Sequence, residues 1–125
     1  MEMKSARFPG TAPIDAYGNG GFRFAEMSHR GSIICLPDGI IAWDVTSLDD
    51  ISPAAFAPVF KAGPKPELFL FGMGERLKPI SAGIRLAFLD HKIRIEAMDT
   101  GAAARTYNVL LLEGRSVAAG LLAVS

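Results

Sequence analysis

At 125 residues and 13.3 kDa, the chain has the length of one domain and can bury most of its surface around a single core. Half of it is hydrophobic, 21% is charged, and 13 Lys and Arg balance 13 Asp and Glu, so no net field draws phosphate backbones or anionic lipid and nucleic acid is not expected as a partner. The single cysteine, Cys35, excludes an internal disulfide and a cysteine-rich zinc site.

Cys35 stands in the apolar run Ile33-Ile34-Cys35-Leu36 and reads as a buried structural thiol rather than a reactive one. No stretch approaches the ~18 to 20 apolar residues that span a bilayer, so membrane insertion is not expected. Met1–Arg7 carries Glu2, Lys4 and Arg7 with no apolar segment behind them, which resembles neither a secretory signal nor a transit peptide. A reducing cytoplasm is the expected setting. Mean hydropathy is positive, +0.27, which leaves apolar surface to spare and points to a protein partner.

Residues 1–13 hold Pro9, Gly10 and Pro13 with little periodicity and read as an irregular leader, the domain proper running over 14–125. Ile14–Tyr17 and Phe22–Phe24 are short strands, and Gly18-Asn19-Gly20-Gly21 between them suits a tight reversal because it enters positive φ at little cost. Met27–Gly31 reads as a turn, Ser32–Leu36 as a strand, Pro37-Asp38-Gly39 as a turn and Ile40–Trp43 as the returning strand. The first third is therefore a β-meander of about four short strands.

Asp44, Asp49 and Asp50 precede a helix over Pro53–Lys61, where Ser52 can cap, Pro53 fits the first turn, and Ala55, Phe56, Val59 and Phe60 form the apolar stripe. Gly63-Pro64-Lys65-Pro66 stops it. Leu68–Phe71 is an uninterrupted apolar run closed by glycine, the pattern of a strand covered on both faces, and it reads as the central strand. A second helix over Ser81–Asp90 follows, in spite of Gly83, which costs about 1 kcal/mol relative to alanine. Ile93–Ala97 alternates as a half-exposed strand, Asp99-Thr100 opens the longest helix over Gly101–Glu113, Gly114 ends it, and Val117–Val124 is the last strand. Strand, helix, strand, helix, strand is the signature of an α/β sheet.

Gly72-Met73-Gly74 lies at the carboxyl end of a buried strand, where open α/β sheets place ligands, and Glu96 follows at the end of the next strand. The dinucleotide fingerprint asks for a third glycine where Leu77 stands, and Pro79 delays the helix whose amino terminus would hold the pyrophosphate. A plain turn is the stronger reading. Asp99-Thr100-Gly101 could offer helix N–H groups to an anion, but Asp99 or Thr100 can satisfy them as an ordinary cap. Arg105, Thr106, Tyr107 and Asn108 crowd polar groups into a helix middle. They read first as a buried hydrogen-bond network locking helix to sheet and second as a ligand-facing patch. The three acids before the first helix lack the spacing of a calcium loop. His29 and His91 have no metal-ligand spacing, and no Ser or Cys nucleophile has an evident base and orienter. Trp43 and the phenylalanines read as core.

The run Met98-Asp99-Thr100-Gly101-Ala102-Ala103-Ala104-Arg105-Thr106-Tyr107-Asn108, continued by Glu113-Gly114-Arg115 and Val117-Ala118-Ala119, resembles a known family. It is similar to the small Mth-type α/β domain family that includes the mitochondrial complex I assembly factor three and the adipogenesis-associated Mth-type domain protein. Tyr17-Gly18 with Phe22, Gly31-Ser32-Ile33-Ile34 with Pro37, Trp43, and Gly72-Met73-Gly74 match as well, so the resemblance runs from Ile14 to Val124. It implies a three-layer α/β domain with a mixed central sheet, about three helices, the meander as an extra layer and a last strand antiparallel to its neighbours. The family carries no established catalytic residues, and its animal mitochondrial member acts in assembly through protein contacts.

The expected function is accordingly a non-enzymatic protein-interaction module without cofactor or metal, its implied role the assembly of a respiratory membrane complex. The alternative is a small-molecule-binding domain or weak enzyme at the carboxyl edge of the sheet. The candidate ligand or partner surface comprises Gly72, Gly74, Arg76, Glu96, Asp99, Thr100, Arg105 and Asn108.

Overall fold

Three strands whose residues are buried almost throughout lie side by side, Val117–Leu121 pairing antiparallel with Ser32–Leu36 and parallel with Leu68–Gly72. A strand with apolar residues on both pleat faces must be covered twice, and the rest of the chain supplies the two covers. The structure, a computed structural model, describes residues 2–3 and 7–125.

In chain order the strands are β1 (Glu2–Met3), β2 (Arg7–Pro9), β3 (Ile14–Gly18), β4 (Gly21–Phe24), β5 (Met27–Arg30), β6 (Ser32–Leu36), β7 (Gly39–Trp43), β8 (Leu68–Gly72), β9 (Arg94–Met98) and β10 (Val117–Leu121). Two 3₁₀ turns, Leu48–Asp50 and Pro53–Phe56, precede the short helix α1 (Ala57–Phe60); α2 (Ala82–Asp90) and α3 (Thr100–Leu112) follow. The main sheet is mixed, with six strands in the order β2-β7-β6-β10-β8-β9, and a second sheet runs β1-β5-β4-β3. The α/β class, the mixed sheet and the extra β layer agree with the sequence reading.

Alternation of side chains along β6, β8 and β10 divides the core in two. Ile33, Cys35, Leu70, Val117, Ala119 and Leu121 meet α3 and the small sheet through Ala103, Ala104, Tyr107, Phe22 and Phe24. On the opposite face Ile34, Leu36, Phe69, Phe71, Ala118 and Leu122 meet Phe56, Val59, Ile84 and Phe88 of the 3₁₀ turn, α1 and α2. Phe56, fully buried, holds ring centroids 5.2 to 5.6 Å from Trp43, Phe69, Phe71 and Phe88. Such edge-on pairs contribute about 0.5 to 1.5 kcal/mol each beyond area burial. Trp43 Nε1 donates to the Ala55 carbonyl at 2.8 Å, so its polar edge is satisfied inside the core.

Several local readings differ from the structure. Met27–Gly31 is not a turn: Met27–Arg30 is β5, and the reversal falls on Ala25 and Glu26, at φ 51° and 62°. Paired left-handed residues make a hairpin turn whose twist suits the strands, but Ala-Glu carries none of the usual Asn-Gly signal. The stretch read as an irregular leader contains β1, parallel to β5, and β2, antiparallel to β7. The β6–β7 hairpin joins the main sheet, so only β3 to β5, with β1, form the extra layer.

β8 is one strand in from the edge and β10 is nearer the centre, because an apolar run reports cover by helices and not position among strands. β10 is antiparallel to β6 alone; against β8 it is parallel, as helix crossovers require. The helix expected over Pro53–Lys61 is a 3₁₀ turn followed by a single α turn, and Ser52 occupies its cap position without a side-chain bond. Ser81 does cap α2, its Oγ accepting from Ile84 N at 3.3 Å.

Gly120 makes room for this packing, since a Cβ there would lie 2.7 Å from Phe69 Cζ and 2.9 Å from Trp43 Cζ3. Gly120→Ala is expected to destabilise the fold by about 1 to 3 kcal/mol through overpacking. Urea unfolding followed by Trp43 fluorescence measures it, and an unchanged midpoint would contradict the close approach.

Candidate functional site

The carboxyl ends of β8, β9 and β10 meet the amino terminus of α3 at one side chain, Thr100, which is fully buried. Gly74 N–H donates to Thr100 Oγ1 at 3.0 Å, and the Thr100 hydroxyl donates to the Leu122 carbonyl at 2.7 Å. Thr100 N–H donates to the Gly74 carbonyl at 2.8 Å, and Leu122 N–H to the Gly72 carbonyl at 3.0 Å. One threonine thus fastens the loop after β8, the end of β10 and the first turn of α3. A hydroxyl both donates and accepts, which is what a site between an N–H and a carbonyl requires.

Gly72 and Gly74 have separate reasons in this knot. A Cβ at Gly72 would stand 2.9 Å from Leu121 Cδ2 and 3.0 Å from Thr100 Cα, so the glycine permits helix and sheet to approach. Gly74 turns the chain at φ +97°, a region that side chains disfavour. Asp99 is the cap of α3, its Oδ1 accepting from Ala102 N at 2.8 Å. The Thr100, Ala102 and Ala103 N–H groups at this helix end are therefore engaged within the chain, in agreement with an ordinary cap.

Further along α3 the polar residues join the helix to the small sheet. Asn108 clasps the backbone of Ile14 from both sides: Oδ1 accepts from Ile14 N and Nδ2 donates to Ile14 O, both at 2.8 Å. Arg105 is exposed and donates through Nη1 to the Tyr17 hydroxyl at 3.2 Å, with the Tyr17 ring lying over Gly101. The expected buried network is made only in part: Asn108 and Arg105 reach β3 rather than the main sheet, the Arg105 bond is exposed, and the Tyr107 hydroxyl takes no part in it. Tyr17 enters the sequence reading only through the family resemblance, because a strand-end tyrosine carries no signal for a helix residue 88 positions away.

The remaining candidates lie elsewhere. Arg76 is exposed and lines a groove of about 330 Å³ with Gly74, Glu75, Lys78, Ser47 and the chain end. Glu96 lies on β9, paired with Arg94 at 3.3 Å, and borders a different groove of about 570 Å³ beside Lys78 and Arg85. The eight residues do not converge on one cavity. Lys78 borders both grooves, which nothing in its local sequence announces. His29 is buried with Nε2 3.2 Å from the Ser32 carbonyl, and His91 stacks on Phe60 with centroids 4.0 Å apart while Nδ1 donates to Ala87 O. Among the described residues no three His, Cys, Asp or Glu are grouped to hold a metal.

Tyr107 and Cys35 are enclosed together under α3. The tyrosine hydroxyl has no partner of ordinary hydrogen-bond geometry, and the thiol beside it is a weak one. Burial pushes the Cys35 thiol up to about 12, against a smaller downward pull from Tyr107. Burial likewise raises Tyr107, and Cys35 adds to the shift.

The chain has the α/β fold of a Mth938-like domain. A Bordetella pertussis protein described as a Mth938-like domain is 30% identical with a TM-score of 0.76, covering 96% of this chain and 92% of its own. A Bartonella henselae protein described as an outer membrane protein is 49% identical with a TM-score of 0.89, over 94% and 99% of the two chains. The chain belongs to the DUF498/DUF598 family, described as a protein of unknown function, whose profile matches residues 14–122. An uncharacterised protein of Rhodobacter capsulatus is 36% identical over 98% of this chain and 93% of its own. NADH dehydrogenase [ubiquinone] 1 alpha subcomplex assembly factor 3 of mouse is 28% identical over 98% of this chain and 66% of its own length. The human assembly factor 3 is 30% identical over 87% and 59%. The chain thus spans less than two thirds of the length of these two factors, 66% and 59%.

Thr100→Val, which keeps the shape and removes the hydroxyl, is expected to cost about 2 kcal/mol because it strands a buried carbonyl and a half-buried N–H. Thr100→Ser is expected to recover most of that in the same denaturation experiment. The Cys35 thiol sets a pH limit. Its folded value lies above the unfolded 9.0, so its contribution is complete below pH 9 and is lost as the pH rises towards about 12. Denaturation midpoints between pH 8 and 11 are expected to fall, and Cys35→Ala to flatten part of that fall.

Proposed function

We propose that this domain is a non-enzymatic protein-interaction module that assists the assembly of a respiratory membrane complex from the cytoplasmic side. The observation that carries the proposal is the match to assembly factor 3, which extends over 98% of this chain. The surface supports it. Leu77, Leu86 and Leu89 stand 64%, 57% and 70% exposed, an apolar excess that a contacting protein would cover. Basic Arg76, Lys78 and Arg85 stand next to Leu77 and Leu86 in the chain and suit the polar rim of an interface with an acidic partner surface.

No helix among the described residues is long and apolar enough to cross a membrane. Contact with a membrane complex on this reading is made through a protein subunit. Within the candidate surface, Arg76, Glu96, Asp99 and Arg105 offer the accessible groups, while Gly72, Gly74, Thr100 and Asn108 hold the backbone beneath them.

A second reading has one observation in its favour. The groove of about 330 Å³ beside β8 brings Arg76, Lys78 and Gly74 together at the carboxyl edge of the sheet, within the size range of small-ligand sites. Asp49 and Glu75 line it as well, so a small polar metabolite is the ligand it suits, and a thermal-shift panel of such metabolites is the check.

Affinity capture from a detergent extract of native membranes tests the first reading. It is expected to recover a subunit of a respiratory complex with the wild-type chain and roughly tenfold less with the doubly reversed Arg76→Glu, Lys78→Glu variant. Repeated capture of no such subunit, alongside stabilisation by a small polar metabolite, would move the assignment to the second reading.

A further inference from the structure

β9 closes the main sheet on one side, and among the described residues no strand pairs with its outer edge. Arg94 N–H donates to Glu67 O at 3.2 Å and Met73 N–H to Met98 O at 2.8 Å, which turns the backbone groups of alternate residues 94, 96 and 98 towards β8. The N–H and C=O groups of Ile95 and Ala97 therefore face outward. The Ile93 N–H is taken by Phe88 O at 3.0 Å, so only its carbonyl can extend the row. Beside Ile95 to Ala97 lies the groove of about 570 Å³, bounded also by Leu77 to Ile80 and Arg85.

Side chains on the edge decide what that strand is. Arg94 and Glu96 lie on one face, 77% and 46% exposed, and Ile95 between them lies on the other, partly buried. Edge strands of monomers are guarded against each other by charges that repel a second copy. Here the two charges have opposite sign and stand symmetrically about Ile95. We propose that β9 pairs antiparallel with β9 of a second copy of this chain, Ile95 opposite Ile95.

That register satisfies backbone and side chains together. Ile95 exchanges both of its hydrogen bonds with its counterpart, and Ala97 N–H reaches the Ile93 carbonyl of the second copy. Arg94 of each chain stands opposite Glu96 of the other, in the closer, non-hydrogen-bonded type of pair. A slip of two residues, which moves the centre of the pairing by one, would set Glu96 against Glu96 or Arg94 against Arg94. The self-complementary register is the one centred on Ile95, and it joins the two six-stranded sheets into one. The pairing does not depend on the assembly role and is tested with the pure protein alone.

The test uses two charge reversals, Arg94→Glu and Glu96→Arg, with far-UV circular dichroism to establish that both fold. Sedimentation equilibrium of the wild type is expected to give a dimer, and each variant alone a dissociation constant raised roughly tenfold or more, because two attractive pairs become repulsive. An equimolar mixture of the variants is expected to dimerise as well as the wild type, since the acid introduced at 94 in one chain then faces the base introduced at 96 in the other. A wild type that stays monomeric at millimolar concentration would overturn the proposal. So would a dimer indifferent to both reversals, or a mixture that remains monomeric.

Discussion

Everything at the carboxyl edge of the sheet depends on how closely α3 can approach β8. Two residues set that distance: Gly72, which has no side chain to hold the helix off, and Thr100, whose hydroxyl links Gly74 to Leu122 across the junction. A buried hydroxyl between a donor and an acceptor is stabilising only when both bonds are made. The loop, the helix start and the strand end are therefore held as a unit, and the edge presents a shape rather than a set of free polar groups.

The two covers of the sheet are built differently. On one face the helices meet β6, β8 and β10 through large rings centred on Phe56, with Gly120 leaving the space that Trp43 and Phe69 occupy. On the other, α3 presents alanines and Tyr107 and lies close, and Asn108 clips it to β3. The small sheet is thus attached through α3 as much as through its own apolar residues. Polar groups in the middle of that helix have a structural use that accounts for their poor intrinsic propensity.

The candidate surface was legible as a place and not as a constellation. Gly72, Gly74, Asp99 and Thr100 do come together, because strand ends in an α/β sheet converge on helix starts. Arg76, Glu96 and Arg105 diverge from them, since a loop, an edge strand and a helix flank leave the sheet in different directions. Tyr17 and Lys78 gained their places from tertiary contacts alone.

Local periodicity in the sequence determined the α/β class, the burial of Cys35 and the apolar strands, because these follow from which faces of a helix or strand are apolar, and the cap of α3 was legible from the acceptor that Asp99 carries before the helix. The turn at Ala25 and Glu26, the recruitment of β1 and β2, the 3₁₀ turn before α1 and the mixed pairing of β10 were decided only by the tertiary structure. Their reason is shared: each depends on a partner strand or a packed neighbour distant in the chain, and pairing between distant segments leaves no mark in the local order of residues.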